Sequence, residues 1–143
     1  MKRLLSLVSV AILSAAAPVV AQDKPFSLLG TWVVTGQAVG IGDSLHPEHS
    51  NREAEPTVHR VSLRFVFTKH EGNNFWGTST GASGTSERML GAVAKDGKSG
   101  VAINSRGGQQ YFTVLDANTI EGCYTSRNPK HLGAGGTVWT RQP

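Results

Sequence analysis

The chain has 143 residues, one cysteine and a formal net charge of +4. That length suits one domain with an adequate core, and a single cysteine excludes an internal disulfide. Its basic residues are mixed with acidic ones and form no dense run, which excludes the electrostatic footprint of a nucleic-acid-binding surface.

The chain opens on Lys2 and Arg3, followed by an almost wholly apolar or small stretch over residues 4–20. Val19, Val20 and Ala21 then precede the polar Gln22 and Asp23. That layout predicts a cleavable secretory signal over residues 1–21. Ser6, Ser9, Ser14 and Pro18 make the same stretch a poor membrane span. Cleavage after Ala21 removes Lys2 and Arg3 and no acidic residue, so the formal charge of +4 falls to +2. No second apolar span follows, which predicts a periplasmic or secreted protein with no transmembrane segment after cleavage. Lipid attachment at the cleavage point is excluded, because the sole cysteine is Cys123.

Residues 22–29 read as a lead-in and residues 30–143 as one domain. Short runs of alternating apolar and polar residues lie between turn signals, which predicts an all-β protein. The first strand is expected over 30–36. Residues 40–58 contain Pro47, Pro56 and many charges and read as a long polar loop, part of which is able to form a hairpin arm. The clearest amphipathic strand is 61–67: Val61, Leu63, Phe65 and Phe67 share one face, Ser62 and Arg64 the other. Further strands are expected over 75–79, 88–93, 100–104, 110–115, 119–125 and 136–141. The turn over residues 95–98 is the strongest, and a long glycine-containing loop precedes the last strand. Eight strands joined by short connections favour an eight-stranded antiparallel up-and-down β-barrel, with a two-sheet sandwich as the other arrangement.

Gly30 and Trp32 on the first strand and Arg141 on the last resemble the signature of the calycins, the superfamily that includes lipocalins and avidins. The resemblance implies that Trp32 closes one end of a barrel and that Arg141 packs across it. A guanidinium plane over an indole face is favourable in its own right. The compact size and short turns are closer to the avidins than to the larger lipocalins. The region of the second strand lacks a recognisable counterpart of the avidin biotin site, which argues against biotin as the ligand.

Within such a barrel, Trp76, Phe65, Phe67, Tyr111 and Glu121 are the candidate ligand-binding residues. Trp76 stands between Phe75 and Gly77, where a glycine lets the backbone lie close to a ligand. Phe65 and Phe67 share a strand face. Tyr111 and Phe112 point to opposite faces, so only one of them lines the interior. Each of these aromatics also fits ordinary core packing. Cys123 reads either as a buried small hydrophobe or as a free thiol.

His46, Glu48, His49, Glu53, Glu55 and His59 cluster in sequence, but their spacing matches no dedicated zinc site. No metal site or cofactor is therefore expected. No nucleophile elbow, phosphate loop or convincing carboxylate pair is present, so no catalytic residue is assigned. The leading expectation is an exported, noncatalytic protein that binds a small apolar or partly aromatic ligand. The alternatives are an envelope protein–protein interaction or inhibitor domain with a packed barrel, and a small barrel isomerase or cyclase using Tyr111, Glu121 or Cys123. Homodimerisation through the outer strands is a further expectation.

Overall fold

In a computed structural model, residues 26–44, 50–52 and 55–143 are described. Eight strands run in chain order: β1 (Gly30–Gly42), β2 (Thr57–Glu71), β3 (Asn74–Gly81), β4 (Ser86–Val93), β5 (Ser99–Asn104), β6 (Gln109–Val114), β7 (Thr119–Asn128) and β8 (His131–Arg141). Each pairs antiparallel with its sequence neighbour, and β1 pairs with β8, which closes an up-and-down barrel. The expected all-β barrel is therefore the observed architecture.

Alternation sets which residues point inward. On β2, Phe65 and Phe67 are buried, while Ser62 and Arg64 face solvent as the sequence pattern requires. On β6 the inward residues are Gln110 and Phe112, and Tyr111 faces out. The register of β2 shifts after Phe67. Beyond that bulge His70 faces the barrel end, where its Nδ1 accepts a 3.3 Å hydrogen bond from Leu28 N.

Four strands, β1, β2, β7 and β8, are longer than the sequence expectation. β1 runs on to Gly42 and β2 begins at Thr57, so both ends of the 40–58 segment belong to the ladder. An isolated bridge pairs Gly42 with Asn51. The supposed long loop before residue 136 is likewise a hairpin, with β7 ending at Asn128 and β8 starting at His131. Glycine disguises this strand. A Cβ at Gly133 would lie 2.8 Å from both His131 Nε2 and Ser126 Oγ, so the missing side chain makes room for its neighbours.

The barrel interior is divided along its axis. At the end holding the start of β1 and the finish of β8, Leu28, Trp32, Phe65, Phe67, Phe75, Phe112, Ile120 and Trp139 form the apolar core. The aromatic rings meet mostly edge-on: Phe65 with Trp139 at 4.9 Å and Phe67 with Phe75 at 5.0 Å between centroids. This geometry suits the ring quadrupoles. The lead-in stoppers this end, where Trp32 Nε1 donates to Leu28 O at 2.9 Å. Arg141 lies over Trp32, 4.2 Å from the ring centroid, and its guanidinium donates to the carbonyls of Ser27, Leu29 and Ala117. Burial lowers the Arg141 pKa from its usual value. Leu28, from the segment read as a mere lead-in, is thus a fully buried plug.

Candidate functional site

Toward the opposite end the inward positions turn polar. Ser79, Glu87, Gln110, Ser126, His131 and Thr137 are all buried. They surround or adjoin a cavity of about 150 Å³. Its rim includes His59 and Arg60 of β2, Ala82 and Ser83 of the β3–β4 turn, and Asn104 and Gly108 at the β5–β6 turn, so its mouth belongs to the end away from Trp32 and Arg141. Its apolar wall is built by Leu63, Phe65 and Met89.

The border between the two halves is a hydrogen-bonded step on β8. Trp139 Nε1 donates to Thr137 Oγ1 at 3.1 Å, and Thr137 Oγ1 donates to Gly122 O at 3.3 Å. The indole thus satisfies its polar atom inside the protein and leaves its ring to the core.

Glu87 faces inward because it precedes Met89 by two on β4. Its partner comes from the β5–β6 turn. Asn104 Oδ1 accepts hydrogen bonds from Arg106 N at 3.1 Å and Gly108 N at 2.8 Å, an Asx-type turn. That turn brings Arg106 Nε to 3.3 Å from Glu87 Oε1, with the arginine partly exposed and the carboxylate buried. Charge compensation of this kind lets a carboxylate occupy an interior that would otherwise strongly disfavour it.

A second polar line descends from the mouth along the β7–β8 hairpin. His131 Nε2 and Ser126 Oγ are hydrogen-bonded at 3.0 Å, and Ser126 in turn bonds the Tyr124 hydroxyl. Burial raises the Tyr124 pKa above its ordinary value, the Ser126 bond opposes this, and the Glu87 charge adds to the rise. The phenol is therefore neutral at physiological pH. Two buried atoms beside this arrangement have no protein partner, His131 Nδ1 and Gln110 Oε1. An unsatisfied buried acceptor costs about 1–3 kcal/mol, so a water or a ligand at either atom would be stabilising.

The five candidate ligand-binding residues are divided by the barrel wall. Phe65 lines the cavity, and Phe67 lies deeper in the packed core. Trp76, Tyr111 and Glu121 are on the outer face and do not reach the interior. The Lys69 ammonium sits 5.5 Å from the Trp76 ring centroid. The room beside Gly77 is filled by β2, since a Cβ there would lie 1.9 Å from the Val66 carbonyl oxygen. Tyr111 Oη donates to Gln109 Oε1 at 3.0 Å on the outside. Tyr111, Glu121 and Cys123 do share a shallow outer depression. Cys123 is an exposed free thiol rather than a core residue, because Gly122 takes the inward position.

His46, Glu48, His49 and Glu53 lie outside the described residues, as do residues 1–21. Among the described residues no three His, Cys, Asp or Glu side chains group as a metal site requires, and no helix is long and apolar enough to cross a membrane. Sequence reasoning missed Glu87, Gln110, Tyr124, Ser126 and His131. For two of them a signal was present. Carrying the Met89 alternation back by two gives Glu87, and placing Phe112 inside gives Gln110.

Comparison with protein-family models and with curated proteins finds no match to either.

Proposed function

We propose that this is an exported, noncatalytic barrel of calycin type that holds a small, partly aromatic ligand in its polar mouth. The observation that carries the reading is the cavity of about 150 Å³ with buried polar side chains on its walls. Ligand pockets combine mainly apolar walls with a few placed polar groups. Here Leu63, Phe65 and Met89 supply the former, and Gln110, Glu87 and Tyr124 the latter. The stacked pair of Arg141 and Trp32 closing the far end supports the calycin resemblance.

The test is native mass spectrometry of the protein purified without denaturation, beside Leu63→Trp, whose larger side chain fills the mouth. A bound small molecule carried by the natural protein and absent from the variant supports the reading. A protein that carries nothing and binds no member of a fragment library counts against it. The same spectra report export, since a mature chain starting at Gln22 is the expected species.

A second reading rests on the outer wall. Leu90 and Ile103 are cross-strand partners, as are Val101 and Tyr111, and all four are exposed. A continuous apolar surface of this kind favours a protein partner or a second copy of the chain. Sedimentation of the purified protein, with Ile103→Lys for comparison, tests self-association.

A further inference from the structure

The same cavity carries information about which end of a ligand goes in first, an inference that rests on the small-ligand reading above. We infer that the ligand inserts a neutral hydrogen-bond donor on a ring-sized apolar body, as a phenol does, with its ring against Phe65 and Met89 and its donor on the Gln110 side chain.

Three observations converge on this class. The first is size. A cavity of about 150 Å³ is close to the volume that accommodates a benzene-sized molecule, so one ring fits below the mouth and a second does not. The second is the wall. Phe65 and Met89 are almost fully buried and both line the cavity, and a ring edge or thioether packs well on an aromatic ring. The third is the acceptor. Gln110 is 4% exposed, and its Oε1 has no protein partner. The terminal torsion of a glutamine is broad and roughly two-fold, so the amide is free to turn its oxygen to a donor that arrives in the cavity.

Charge decides between donor classes. The buried Glu87 carboxylate lines the same cavity and opposes an anionic group there. Arg106, drawn over Glu87 at 3.3 Å, balances that charge and removes the advantage a cation would otherwise have. Tyr124, which also lines the cavity, is a neutral phenol and adds no charge. A neutral donor is the group left without an electrostatic penalty.

The chain offers a convenient probe, because its two methionines are Met1 and Met89. The purified protein carrying ¹³C-methyl methionine is titrated with phenol, toluene and benzoate, and the Met89 methyl signal is followed. Phenol and toluene have nearly the same shape and differ in the donor. The expected result is phenol binding about tenfold tighter than toluene, about 1.4 kcal/mol, with benzoate weakest. In Gln110→Leu the order of phenol and toluene reverses. Gln110→Met, which keeps an unbranched side chain, serves if the leucine variant does not fold.

Binding of all three probes without a phenol preference, or a preference that survives both substitutions, overturns the donor inference and leaves the small-ligand reading standing. A Met89 signal unmoved by every probe overturns both.

Discussion

The two halves of the barrel interior are built on the same eight strands yet obey different rules. In the half closed by Trp32 and Arg141, every large side chain meets another apolar one, and the few polar atoms are satisfied locally, as with Trp139 Nε1 on Thr137. In the half toward the mouth, the chain buries a carboxylate, an amide, a histidine and three hydroxyl residues around space it does not fill. A core selected only for stability would have continued the aromatic packing, since hydrophobic residues of matching volume are often as stabilising as a buried ionic or polar set, or more so. The difference teaches that apolar packing carries one half, while the other keeps the unfilled, polar-walled space on which the proposed binding rests.

The sharpest way to break that comparison is to damage the packed half. Trp139 is fully buried between Phe65 and Phe112, with ring centroids at 4.9 and 5.2 Å. Trp139→Ala is expected to cost about 3–5 kcal/mol, read as a lowered midpoint in urea with little change in slope. An effect below about 1 kcal/mol would mean that the aromatic cluster does not carry the fold.

Next in size is the closure. Arg141 joins three carbonyls from two separate segments and covers Trp32. Hydrogen bonds from a charged donor and the cation–π contact together make Arg141→Ala about 2–3 kcal/mol destabilising, allowing for partial exposure. Arg141→Lys is expected to recover only a minor part, because an ammonium lacks the planar fork that reaches several acceptors. Thermal unfolding of the two variants side by side measures the difference.

The polar half gives the opposite expectation. Gln110→Leu removes a buried amide oxygen that has no protein partner and keeps nearly the same bulk. Stability is expected to stay within about 1 kcal/mol of the natural protein, on the stabilising side. A loss as large as that of Trp139→Ala would erase the distinction between the halves.

What was legible in the sequence follows the same division. Period-2 alternation with large apolar residues exposed the packed half: Phe65 and Phe67 against Ser62 and Arg64 identify an inward face without ambiguity. The Trp32–Arg141 closure was readable because it unites a first-strand and a last-strand residue. The mouth was obscure because its inward residues are polar or glycine. On β8 the sequence His131-Leu132-Gly133-Ala134-Gly135 has its larger apolar residue outside, the reverse of the usual cue. On β3 and β6, Trp76 and Tyr111 are conspicuous aromatics, yet alternation sends them outward and leaves Ser79 and Gln110 inside. A cavity is the absence of side chains, and residue pattern records that only indirectly.

The smallest effect concerns protonation at the mouth. Burial, with the nearby Glu87 charge, raises the Tyr124 pKa above its ordinary 10.0, against the opposing Ser126 hydrogen bond. Below the unfolded value both states keep the phenolic proton, and the full stability is present. As pH rises past about 10, the unfolded chain loses that proton first, so unfolding becomes progressively easier until the folded phenol also ionises. Tyr124→Phe abolishes this contribution. The natural protein should therefore lose more stability than Tyr124→Phe between about pH 9.5 and 11, in denaturation midpoints at matched ionic strength. Equal losses in the two proteins would show that Tyr124 is as solvated in the folded state as in the unfolded one. A phenol that wet would mean a mouth open to bulk water down to its walls, in which the buried polar set no longer differs from an ordinary polar surface.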